Sequence, residues 1–148
     1  MENVNLTALE RRKIIQQNAL NMGINDEFIS KLVDTFYDHV RKHDRLGPIF
    51  DDIIGDNWTP HLLKMKSFWS SVAMNSGTYS GQPVPVHRKL TNVREADFDI
   101  WLSLFEKTLI EIAPTEEVIP YFMERAARIA QSLQLSMFGV PELRQGRL

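Results

Sequence analysis

The stretch INDEFISKLVDTFYDHV, residues 24–40, decides the fold class. Its Ile29, Leu32, Val33, Phe36, Tyr37 and Val40 recur at the three- and four-residue spacing that puts them on one face of an α-helix. Asn25 stands where a side-chain cap is needed, and Ile24 with Ile29 suits a hydrophobic staple. Working outward, a preceding helix over about residues 7–22 has Asn5 or Thr7 as cap and Gly23 as stop. Its apolar face (Leu9, Ile14, Ile15, Leu20) is thin, so it is expected to pack only on the outside. Downstream, Leu46-Gly47-Pro48-Ile49-Phe50 interrupts the helical pattern, and a short apolar bend is expected before Asp51 and Asp52.

The same period returns three more times. A helix starting between Asp56 and Pro60 carries the stripe His61, Met65, Phe68, Trp69 and Val72. Another, from about Arg94 to Ala113, carries Phe98, Trp101, Leu102, Phe105, Leu109 and Ile112, with Asn92 and Glu95 spaced as a capping box. A last one starts near Thr115 or slightly later, carries Ile119, Phe122, Ala126, Ile129, Ala130, Leu133 and Met137, and stops at Gly139. Between them, residues 75–86 hold two glycines and two prolines and predict a long irregular connection ending at His87. No segment alternates apolar and polar residues long enough for a half-buried strand, so the predicted class is all-α.

Composition narrows the chemistry. A chain of 148 residues with 43% hydrophobic and 24% charged residues has room for a single full core. The net charge of -2 argues against a nucleic-acid partner. The absence of cysteine excludes disulfides, thiolate metal sites, thiol nucleophiles and covalent haem attachment. The polar, acidic start and the lack of any apolar run near 18 residues predict a cytoplasmic protein with no membrane partner. Phosphate-loop, dinucleotide, zinc-protease and di-iron motifs are all missing.

Polar residues on apolar stripes remain. His61 lies on the apolar face of its helix, where a hydrogen-bonded core residue and a ligand-facing one are both open readings. His87 follows a proline-stiffened loop, where packing gives no reason for an imidazole. Tyr37 and Trp101 sit on buried stripes, and each needs a partner for its O–H or N–H. His39 and His43, at a charged helix end, are expected to be solvated surface residues.

In combination, Phe36-Tyr37-x-x-Val40-Arg41, Leu46-Gly47-Pro48-Ile49-Phe50, Trp58-x-x-His61, Phe68-Trp69, Gly77-x-Tyr79-x-Gly81-x-Pro83-x-x-x-His87 and Phe98-x-x-Trp101-Leu102-x-Leu104-Phe105 resemble the truncated haemoglobins of group III. The resemblance covers about residues 26–138. It implies a two-over-two helical sandwich around a haem b, held without covalent attachment, in a globin domain over residues 25–138. Residues 1–24 form an N-terminal extension and 139–148 a polar tail. The resemblance makes His87 the proximal ligand to the iron. It brings Tyr37, His61 and Trp101 over the sixth coordination position. Phe36, Phe50, Met65, Phe68, Trp69, Val86, Phe98 and Phe105 become candidates to touch the porphyrin, and Lys64 and Arg88 candidates for its propionates.

The small ligands so implied are O2, NO and CO. Three polar groups at the iron favour redox chemistry on bound gas, either nitric oxide detoxification or a peroxidase-like reaction, with a reductase as partner. Plain oxygen binding or gas sensing is the second expectation. A helical interaction domain without haem, whose His, Tyr and Trp are core residues, is the third.

Overall fold

The computed structural model describes residues 7–74 and 93–139, and these form six helices and no strand. They are α1 (Ala8–Asn21), α2 (Asp26–Lys42), α3 (Leu46–Ile54), α4 (Trp58–Met74), α5 (Glu95–Ile112) and α6 (Val118–Phe138). The all-α expectation holds. None of these helices is long and apolar enough to cross a membrane.

α2 is the central element, because its stripe meets a neighbour along its whole length. Asn25 Oδ1 accepts from the Phe28 amide at 2.8 Å, and Phe28, Ile29, Leu32, Val33, Phe36, Tyr37 and Val40 are all buried. It packs on α3, α4 and α5, while α5 packs on α6. Aromatic rings join the pair α2 and α4 to the pair α5 and α6. Trp69 of α4 stacks on Phe105 of α5 at 4.9 Å between centroids, and it meets Phe122 of α6 at 5.9 Å. The Tyr121 hydroxyl donates to the Ala73 carbonyl at 2.5 Å, which pins the start of α6 to the end of α4.

The bend expected at residues 46–50 is instead the first half of a nine-residue helix, α3. Pro48 falls in its first turn, where amides have no intrahelical acceptor, so the missing N–H costs nothing. Gly47 is needed for proximity: a Cβ there would meet the Arg41 carbonyl oxygen at 2.5 Å. His43 is a structural cap as well as a half-buried side chain, its Nδ1 accepting from the amides of Arg45 and Leu46 at 3.1 and 3.3 Å. His39 is partly covered and lies 3.3 Å from a Glu111 oxygen on α5. Both histidines therefore do more than face solvent.

The start of α5 is also shifted from its expected cap. Arg94 is the N-cap residue, and Asp97 reaches back to accept from its amide at 2.8 Å. Asn92 lies outside the described residues. α1 behaves as its thin stripe predicts: Thr7 caps it, only Ala19 is buried, and it rests on α4.

Candidate functional site

The two helix pairs leave a cavity of about 250 Å³ between α2, α3 and α4 on one side and α5 and α6 on the other. Its wall is aliphatic and aromatic. Phe50, Met65, Phe68, Trp69 and Phe98, all expected at the porphyrin, line it, joined by Leu46, Ile49, Ile53, Ile54, Val93, Ile129, Ala130, Leu133 and Met137. The side chains in this lining that carry a polar atom are Tyr37, His61, Asp97 and the two indoles, Trp69 and Trp101.

Tyr37 projects from the buried stripe of α2 and is 6% exposed. Burial alone pushes its phenol above the ordinary tyrosine range, so it is a neutral O–H donor throughout the physiological range. Around it the rings meet edge to face: Phe36 at 5.1 Å, Phe50 at 6.0 Å, Trp58 at 5.9 Å and His61 at 5.3 Å. Such edge-on contacts fix the direction of a phenol that has few other restraints. Trp101 is set by a parallel stack on Phe105, 5.5 Å and 5° apart, and an edge contact with Phe36 at 5.4 Å. Phe36 therefore touches both Tyr37 and Trp101, and fixes the spacing of two donors that come from different helices.

The other expected residues divide by position. Phe36 and Phe105 lie behind the lining, 1% and 0% exposed, where they back Tyr37 and Trp101. Lys64 is exposed on α4, outside the lining. His87, Val86 and Arg88 lie outside the described residues.

Asp97 has no counterpart in the sequence reading. Its carboxylate is 4% exposed and takes a bidentate pair of bonds from Arg45, Nε to Oδ1 and Nη2 to Oδ2, both at 2.9 Å. The Arg45 bonds, with the Arg94 amide, hold the Asp97 carboxyl below the usual carboxylate range against the opposing effect of burial. This clamp ties the segment between α2 and α3 to the first turn of α5, one turn before Trp101. An Asp three residues after the cap was the available signal, but its partner is 52 positions away.

The lining suits a largely apolar group, with hydrogen bonds on offer from Tyr37, His61 and Trp101. Tyr37 offers a phenol, Trp101 an indole that can only donate and His61 an imidazole that can donate or accept, while the Asp97 carboxylate is already taken by Arg45. No group of three or more His, Cys, Asp or Glu side chains able to hold a bare metal ion occurs among the described residues.

No family model matches the chain. It is 39% identical over 118 residues to the group 3 truncated hemoglobin ctb of Campylobacter jejuni, a match covering 78% of this chain and 92% of that protein. It is 29% identical over 123 residues to the group 2 truncated hemoglobin YjbI of Bacillus subtilis, covering 78% and 88%. The crystal structure of the group III truncated hemoglobin from Campylobacter jejuni matches the fold with a TM-score of 0.73 at 38% identity, over 78% of this chain and 92% of that one.

Proposed function

Because the chain belongs to the group III truncated haemoglobins, we propose that the cavity receives a non-covalently held haem b and that Tyr37, His61 and Trp101 control a diatomic gas there. One observation carries this reading: Tyr37, His61 and Trp101, from α2, α4 and α5, border one cavity whose remaining wall is apolar apart from the Trp69 indole and the Arg45-paired Asp97. The haem supplies an iron at which a gas can bind and exchange electrons. The chain supplies the selectivity. With no cysteine to form a thioether, retention depends on apolar contact and on one protein ligand, a role we assign to His87 from the family resemblance.

The apolar wall excludes water, which strengthens every hydrogen bond made inside. Tyr37 and Trp101 then favour a ligand that carries partial negative charge over one that does not. Tyr37 keeps its proton, since burial raises its pKa, and so acts by donating a hydrogen bond. His61 is the lining group whose ring can either donate or accept a hydrogen bond. This division of labour fits redox chemistry on dioxygen, with nitric oxide oxidised to nitrate or peroxide reduced, better than simple storage. A separate reductase would return the spent electrons.

The reading is tested by titrating the purified chain with haemin and recording the visible spectrum. Equimolar binding is expected in the parent, together with loss of stable binding in His87→Ala. A chain that takes up no haem would overturn it. Nitric oxide mixed with the oxygenated protein is then expected to give nitrate, whereas recovery of unreacted nitric oxide would leave reversible gas binding.

A further inference from the structure

The His61 ring is held between two others. It stands edge-on to Tyr37 and to Trp58, with centroid separations of 5.3 and 5.7 Å and interplanar angles of 86° and 89°. Trp58 touches Tyr37 as well, at 5.9 Å, so the three rings close on one another. Trp58 is in turn fastened from outside. Its Nε1 donates to Asp51 Oδ1 at 3.0 Å, the Arg41 guanidinium carbon lies 4.4 Å from the centre of its ring, and Arg41 Nε lies 3.4 Å from the same Asp51 oxygen. These residues come from α3, α4 and α2. Gly47 allows the meeting, because only a residue without a Cβ lets α3 lie so close to the end of α2.

An imidazole packed this way turns outward only if a neighbouring ring gives way. Both rings are buried in the core, Tyr37 at 6% and Trp58 at 8% exposure, but Trp58 is the one whose place depends on a bond to a half-exposed side chain, its N–H to Asp51. We infer that Arg41, Asp51 and Trp58 form a latch that keeps His61 turned into the cavity. Trp58 is the positioning residue for gas access, and the Arg41–Asp51 pair is its salt-sensitive fastening. The latch rests on the reading of the cavity as a haem pocket. Because the Arg41 and Asp51 side chains are 49% and 50% exposed, the ion pair is partly screened. Releasing the Trp58 hydrogen bond should therefore shift the balance between held and released His61 by about 3- to 10-fold.

The test uses the haem-loaded chain and two readouts, carbon monoxide association after flash photolysis and exchange of the Trp58 indole N–H with water by NMR. Trp58→Phe keeps a ring beside His61 but loses the donor. Asp51→Ala, at a half-exposed site that folding should tolerate, loses the acceptor. Both should speed association about 3- to 10-fold, towards the rate of His61→Ala. Adding either change to His61→Ala should bring no further gain. In Asp51→Ala the Trp58 N–H should exchange faster than in the parent. Raising salt from about 0.01 M to about 0.5 M should speed association in the parent and not in Asp51→Ala. The latch is overturned if His61→Ala speeds association while Trp58→Phe and Asp51→Ala do not. It is equally overturned if their effects persist undiminished in the His61→Ala background. A chain that binds no haem overturns the cavity reading instead, and the latch falls with it.

Discussion

α1 and α2 are consecutive helices with the same kind of start and opposite fates. Thr7 Oγ1 accepts from the Glu10 amide at 3.1 Å, and Asn25 Oδ1 accepts from the Phe28 amide at 2.8 Å. Past the cap they diverge. α2 buries seven side chains and carries Tyr37, whereas α1 buries only Ala19 and leaves Leu9 and Leu20 60% and 52% exposed. A cap fixes where a helix begins, but the continuity of its apolar stripe fixes whether it can hold a functional group in place.

The largest expected effect lies on α2. Phe36 is 1% exposed and touches Tyr37, Trp101 and Phe105. Phe36→Ala should cost about 3–5 kcal/mol of stability, lowering the thermal midpoint by roughly 6–20 °C. Calorimetry or thermal denaturation by circular dichroism would measure it. A loss no larger than that of a surface substitution would break the contrast between the helices.

A smaller effect is expected where the segment after α2 reaches α5. Asp97 binds its proton less readily in the folded chain than in the unfolded one, because Arg45 and the Arg94 amide favour its charged form. Its contribution to stability is therefore complete above the ordinary aspartate pKa of about 4 and is lost as pH falls below that value. Asp97→Asn should be less stable than the parent at neutral pH, with the gap closing in acid. Urea denaturation across this pH range checks the sign, and a gap that widened in acid would contradict the clamp.

The smallest effect should come from α1. Removing a cap costs a helix about 1 kcal/mol in general, but α1 contributes little to the core. Thr7→Ala should speed amide hydrogen exchange within residues 8–21 and change global stability by less than about 0.5 kcal/mol. A global loss as large as that of Phe36→Ala would show that α1 is integral to the core.

The same contrast explains what was legible beforehand. α2, α4, α5 and α6 announce themselves by stripes whose period matches a helix, and Tyr37, His61 and Trp101 stand out as polar residues on those stripes. α3 did not, because Gly47 and Pro48 read as breakers although both fall in a first turn that tolerates them. The Arg45–Asp97 pair was hidden because two ordinary charged residues far apart in sequence carry no local period. Phe36, Phe98 and Phe105 are equivalent by residue type and by their place on an apolar stripe. Which of them lines the cavity and which backs it depends on how the helices cross, and no single stripe encodes that.

The central claim is that Tyr37 and Trp101 jointly donate to a ligand inside the cavity, and the most direct measurement is dissociation of oxygen and of carbon monoxide from Tyr37→Phe, Trp101→Phe and the double variant. Charge-assisted hydrogen bonds of about 1.5–3 kcal/mol predict oxygen release roughly 10- to 150-fold faster in each single variant. Carbon monoxide, which carries little charge, should leave at a nearly unchanged rate. Since Phe36 touches both donors and the proposal gives them one acceptor, their effects should couple by at least about 0.5 kcal/mol. Equal acceleration of both gases, or strictly additive losses, would contradict the account.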